Sequence, residues 1–150
     1  MSFEGEARQF AENAQARMTR IVRASALKLF TNIIERTPVD TGRARANWQI
    51  DLNDISENAG VNFQGERGAS DDEARRGRNA AQAASEATGK AMARIGDIDE
   101  RTLKIFIFNN VNYIIPLEYG SSEQAPDGMV RISLAEWQQI VAAMSGGSRA

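Results

Sequence analysis

The sequence predicts one α/β domain of the α+β kind, with helices at its two ends and strands between them. Three observations carry that prediction. Residues 3–36 place apolar side chains at spacings of three and four, the period of an amphipathic helix. Ala46-Asn47-Trp48-Gln49-Ile50-Asp51-Leu52-Asn53 alternates strictly, the period of a half-buried strand. Leu103-Lys104-Ile105-Phe106-Ile107-Phe108 is a short apolar run, as expected of a second strand.

The first helix is specified by Phe10, Ala14, Met18, Ile21, Val22, Ser25, Leu29 and Ile33, with Leu27, Phe30 and Ile34 as a second stripe. Its C-terminal half is therefore apolar over a wide arc, suited to a sheet on one side and another subunit on the other. At 1.5 Å per residue it spans about 50 Å, long for so small a chain, so its N-terminal end is expected to project. Arg17, Arg20 and Arg23, three residues apart, read as a solvated face. Thr37-Pro38 stops the helix, because proline disfavours helical geometry before it and has no N–H to donate. Asp40-Thr41-Gly42 then makes a turn, with Asp accepting backbone N–H bonds and Gly free to take positive φ.

After the first strand, residues 54–78 are poor in large apolar groups and read as an exposed loop. Residues 79–95 are Ala-rich and helical, with only a thin stripe of Ala84, Ala87, Ala91 and Ile95 to anchor them. The second strand's continuous apolar character implies burial on both faces, or one face in a subunit contact. Asn109-Asn110 signals a turn. From Met129 a helical pattern returns, with Val130, Leu134, Trp137, Val141 and Met144 on one stripe. Residues 145–150 have the composition of a flexible tail.

With 150 residues, 42% of them hydrophobic, the chain is expected to form a single domain over 1–150 that buries roughly 70% of its unfolded surface. Its net charge of −2 draws it neither to nucleic acid nor to a membrane as a whole. The charge is unevenly placed: residues 1–50 carry +3 and residues 51–150 carry −5. The sequence has no cysteine and no histidine, which removes disulfides, thiol nucleophiles, Cys/His metal sites and the usual base near neutral pH. No apolar run approaches the roughly 20 residues that span a bilayer, and Met1 to Glu6 lacks a signal's apolar core. The expectation is a protein used in a cytoplasm or in a particle assembled there, without membrane, metal or cofactor.

Few residues suggest chemistry. Asp71-Asp72-Glu73 reads as a solvated charge run, since it lacks the spaced ligands and glycine of a calcium loop. Arg75, Arg76 and Arg78 are candidate DNA or partner contacts, a weak signal because three acids adjoin them. Asp40 and Glu118 are either a carboxylate pair or acceptors for their own corners, and the turn contexts favour the second. Tyr113, Ile115, Leu117 and Tyr119 form an apolar segment that reads equally as core or as a subunit contact. No catalytic residue is assigned.

Two corners, set far apart, complete the reading: Pro38-Val39-Asp40-Thr41-Gly42, and Asn110-Val111-Asn112-Tyr113 leading into Glu118-Tyr119-Gly120. In this order, after a long helix and before an element matched by Ala125 to Val130, they resemble the neck or tail-completion family of tailed bacteriophages. The resemblance covers most of the chain and rests on the conjunction of loose motifs. It implies an antiparallel sheet packed by the long helix and a C-terminal helix. It also implies a structural virion protein forming a homo-oligomeric ring, of six copies, at the head-tail junction. Such a ring would touch the head connector or stopper and the tail tube or terminator, and would pass DNA without cutting it. A ring that caps the tail tube as terminator, or a DNA-binding assembly factor, are the alternatives. On this reading Pro38, Asp40, Thr41, Gly42, Asn110, Glu118 and Gly120 build corners, not a catalytic site.

Overall fold

The computed structural model describes residues 2–55, 60–69 and 71–146. Helix α1 runs over Phe3–Arg36, a short turn α2 over Arg43–Ala46, and strand β1 over Trp48–Leu52. A long helix α3 over Glu73–Gly96 leads to strand β2, Ile105–Asn109. Three short helices follow: α4 over Ile114–Glu118, α5 over Val130–Ala135 and α6 over Trp137–Gly146. The class is α+β, with a two-stranded antiparallel sheet between a long N-terminal helix and C-terminal helices. Among the described residues no helix is long and apolar enough to cross a membrane.

Ser2 starts α1 by accepting the Gly5 N–H on its hydroxyl, and Thr37 ends it. The buried face begins only at Ser25 and continues through Ala26, Leu29, Phe30, Ile33 and Ile34. Phe30, Ile33 and Ile34 are essentially sealed from solvent, and each contributes about 2 kcal/mol of burial. Trp48, Ile50, Ala87, Ala91, Ile95, Ile98, Ala125, Met129 and Ile140 complete this core. Residues 3–18 of α1 carry no buried side chain, so the N-terminal end lies outside the core, as its length predicts.

Strand β1 is shorter than the alternation suggests. Arg43 to Ala46 fold as a helical turn, and Asn53 ends the strand in the left-handed region at φ 65°. The Asn53 side-chain oxygen accepts the Leu103 N–H at 2.7 Å, which closes the open end of the pair. Trp48 pairs with Asn109, Ile50 with Ile107 and Leu52 with Ile105. Asp51 is buried on the alternate face and ion-paired with Arg94. Strand β2 begins two residues later than its apolar run and is half-buried throughout, not buried on both faces. Leu103 lies outside it and is exposed.

Helix α3 starts at Glu73, inside the stretch that composition reads as loop. Asp72 caps it by accepting the Arg75 N–H, so the acidic run contributes a helix start. Its buried face is Arg75, Asn79, Ala83, Ala87, Ala91 and Ile95, an unbroken series at steps of four. The helix is thus firmly anchored, where the alanine stripe alone suggests weak attachment. The small side chains let its backbone approach β1 and α1. Arg23 is not a solvated residue either. Its guanidinium donates to the carbonyls of Gly96 and Ile98, at 3.0 and 2.6 Å, and so caps the C-terminal end of α3.

The C-terminal helix is broken in two at Glu136, and its buried set is Met129, Ser133 and Ile140. Leu134 and Met144 of the expected stripe are exposed. Arg36 ties α1 to the break by donating to Ser133 Oγ and pairing with Glu136. Of the expected flexible tail, Ser145 and Gly146 belong to α6, and residues 147–150 lie outside the described residues. So do residues 56–59 and Ser70 of the expected loop.

Candidate functional site

The two corners meet. They enclose a cleft of about 290 Å³, with residues 38–44 on one side and Tyr113, Leu117, Ser122 and Gln124 on the other. Each wall is built by specific bonds.

The first corner begins at Thr37. Its buried hydroxyl donates to the Ile33 carbonyl at 2.7 Å and accepts the Trp48 indole N–H at 2.8 Å, locking the helix end to β1. Arg45 donates to the carbonyls of Glu35 and Thr37, which the helix leaves without intrahelical partners. Burial pushes the Arg45 pKa down from its ordinary value, with Glu35 partly opposing. Pro38 lines the cleft, and the side-chain amide of Gln124 grips Val39 at both its N–H, 2.9 Å, and its carbonyl, 3.2 Å.

Asp40 and Gly42 take up the space between the corner and α3. Asn79, fully buried, donates to the Asp40 carbonyl and to the Glu66 carbonyl, both at 2.8 Å, and accepts the Glu66 N–H at 2.8 Å. Arg75 reaches the Asp40 carboxylate at 2.9 Å and also the carbonyls of Asp40, Glu66 and Ala69. Gly42 has φ +88°, and a Cβ there would lie 2.9 Å from both the Asn79 carbonyl oxygen and the Phe63 ring. Gly65 is tighter: an added Cβ would lie 1.8 Å from the Thr41 carbonyl oxygen. The described part of the 54–78 stretch is thus pinned to the first corner through Gly65, Glu66 and Ala69.

The second corner is closed by Glu118. Its carboxylate accepts the N–H groups of Met129, Val130 and Arg131 at 2.9–3.0 Å, and the Arg131 guanidinium at 3.1 Å. Burial by itself would push this carboxyl up, but the three N–H bonds and Arg131 outweigh it and hold the pKa below the ordinary value. Gly120 and Gly128 both take positive φ, and a Cβ on either would come within 2.4 Å of a carbonyl oxygen. The turn before α4 is held by Asn109, not Asn110. The Asn109 amide donates to the Ala44 carbonyl at 2.7 Å, and its oxygen accepts the Val111 N–H, while Asn110 is exposed.

The carboxylate-pair alternative finds no support here. Asp40 lines the cleft and its carboxylate is held by Arg75 of α3, not by the backbone N–H groups of its own turn as the sequence suggests, whereas Glu118 does not line the cleft and is held by residues 129–131. The expected DNA or partner contacts separate: Arg75 is a buried strut, Arg76 is half-buried, and only Arg78 is exposed, paired with Glu66 at 2.7 Å. They make no basic patch, because the i, i+4 spacing with Asn79 turns Arg75 inward. Of the candidate subunit contacts, Leu117 packs against the core, whereas Tyr113, Ile115 and Tyr119 are exposed. Arg131 stacks over the Tyr119 ring, 4.6 Å from its centre. Burial holds the Tyr113 phenol above its ordinary pKa, with Arg43 opposing and Asp40 adding, so it remains a proton donor at neutral pH.

Sequence reasoning missed Asn79, Gln124, Arg45 and Gly65. The run of steps of four from Arg75 to Ile95 points to Asn79 as buried, and a buried Asn must find partners. No local pattern marks Gln124 or Gly65, whose roles depend on contacts distant in sequence. Most of the hydrogen bonds described around the cleft end on backbone carbonyl or N–H groups and so fix the path of the chain. No family model, no curated protein and no solved structure matches the chain.

Proposed function

We propose that the chain is a structural subunit that assembles with copies of itself into a ring, of six copies, at the head-tail junction of a tailed bacteriophage. The ring joins the head connector to the tail tube, lets DNA pass, and performs no catalysis. The observation that carries this reading is the meeting of the two corners in one cleft. Of the residues that the resemblance singles out, Pro38 to Gly42 and Tyr113 line that cleft, and Glu118 and Gly120 shape the backbone of the second corner outside it, whereas Asn110 is exposed and its neighbour Asn109 holds the turn. Beside the cleft, α4 presents Tyr113, Ile115 and Tyr119 on a rigid corner, and exposed aromatic groups are the usual anchors of a subunit contact. The absence of an assembled Arg75/Arg76/Arg78 patch weighs against the DNA-binding alternative.

Cryo-electron microscopy of the neck of intact particles tests this. The expected result is a six-copy ring of this chain between connector and tail tube, with α4 at the boundary between neighbours. Finding the ring only at the end of an isolated tail tube would make it a terminator. Finding no copy in the particle would overturn the reading.

A further inference from the structure

Strand β2 closes on β1 along one edge and is open along the other. The register of the pair, and the 2.8 Å bond from the Asn53 N–H to the Lys104 carbonyl, fix which backbone groups face which way. Lys104, Phe106 and Phe108 bond toward β1, so Ile105, Ile107 and Asn109 turn their N–H and C=O groups outward. Among the described residues no backbone group of another element bonds to these three. Only β1 brings its backbone close along the length of β2, and every β2 residue is half-buried. The usual guards of an open edge are missing: the strand holds no proline, glycine or charge, and no bulge interrupts its register.

We infer that this edge pairs with the same edge of a second copy, the two β2 strands running antiparallel about Ile107, so that two two-stranded sheets join into one of four strands. Three features choose that occupant. The first is availability. Strand β1 is buried at Trp48, Ile50 and Asp51 and lies against α3, to which Asp51 is ion-paired. The extended chain at Val61 and Glu66 is already bound by Asn47 and Asn79. Among the described strands of a second copy, the open edge is therefore its β2.

The second is register. An added strand must match outward-facing residues with outward-facing ones. A centre at Ile107 does so for the whole strand, setting Ile107 opposite Ile107 and Ile105 opposite Asn109 of the second copy. Centres at Ile105 or Asn109 leave most of the strand without a partner.

The third is the side chains. The same register sets Phe106 opposite Phe108 of the second copy at the closely spaced, non-hydrogen-bonded position, aromatic against aromatic at both ends of the contact. These rings lie on the face opposite Ile105 and Ile107, which pack against the core. Lys104 falls opposite Asn110, so no like charges meet. The contact is isologous and closes at two copies. It uses no residue that lines the corner cleft and none of α4, and it does not rest on the proposed ring.

Amide hydrogen exchange reads the edge directly. In a single chain the Ile105 and Ile107 amides have no partner and exchange fast, while those of Phe106 and Phe108 are held by β1. The expected results at high protein concentration are protection of Ile105 and Ile107 and, by sedimentation equilibrium, twice the 16.5 kDa mass. Two double variants then test the register. Phe106→Lys/Phe108→Lys sets like charges opposite each other, and Phe106→Glu/Phe108→Lys removes the same rings but sets Glu opposite Lys. The first should sediment as a single chain and the second at twice the mass, both with the parent's helix content by circular dichroism. A parent chain that stays single at every concentration, a double-mass species whose Ile107 amide exchanges fast, or two variants that sediment alike would each overturn the inference. A six-copy ring in particles, built from a chain that fails these tests, would leave the proposed function standing and this contact refuted.

Discussion

Single residues set the two corners, and their substitution has predictable sign. Gly42 needs positive φ and has no room for a side chain, so Gly42→Ala should lose about 2 kcal/mol in urea unfolding. Gly89 lies inside α3 with open space around it, so Gly89→Ala should instead gain about 0.5–1 kcal/mol. Opposite signs for two glycines in one protein separate backbone need from chance composition. Glu118 gives a pH signature. Its folded pKa lies below the unfolded one, so its contribution is present above the ordinary glutamate range and is lost as pH falls through the folded value. Glu118→Gln should therefore be less stable than the parent at neutral pH, by about 1–3 kcal/mol, and should lose less on acidification. Asp99, shifted the same way by its bond to the Arg101 N–H, leaves a residual acid slope in the variant.

Among elements, α3 is where composition and structure diverge most. Its alanines supply little area each, and two polar side chains one turn apart, Arg75 and Asn79, extend the attachment beyond the packed Ala83–Ile95 face. Arg75 and Asn79 convert residues 65–69 from loop into a wall behind the first corner. Asn79→Ala leaves the carbonyls of Asp40 and Glu66 and the Glu66 N–H without their Asn79 bonds, and should cost about 2–3 kcal/mol. Amide hydrogen exchange checks the location: protection should fall at residues 60–69 and at the start of α3 before it falls in α1 from Ser25 onward.

At the scale of the whole molecule, α1 is half core and half reach. A helix of about 12–15 residues is marginal in water without tertiary support. Amides of residues 6–16 should thus exchange faster than those of α1 from Ser25 onward, a difference that hydrogen exchange reads directly.

The sequence by itself determined the helical and extended periods, and with them α1 from Phe3 to Arg36, its stop at Thr37-Pro38, both strands and the two corners. Those features are local: periodicity, proline geometry and turn chemistry act within a few residues. Tertiary structure alone decided that the corners face each other, since Gln124 must cross the chain to reach Val39, and Asn109 to reach Ala44. It also turned Arg75 from a candidate contact into a buried strut, because a charge run on paper becomes two faces once the helix is wound and one face is pressed against Asp40. The half-buried β2 and the uncovered start of α1 have the same cause. The apolar groups in the sequence exceed what one small core can enclose, and only packing determines which of them remain outside.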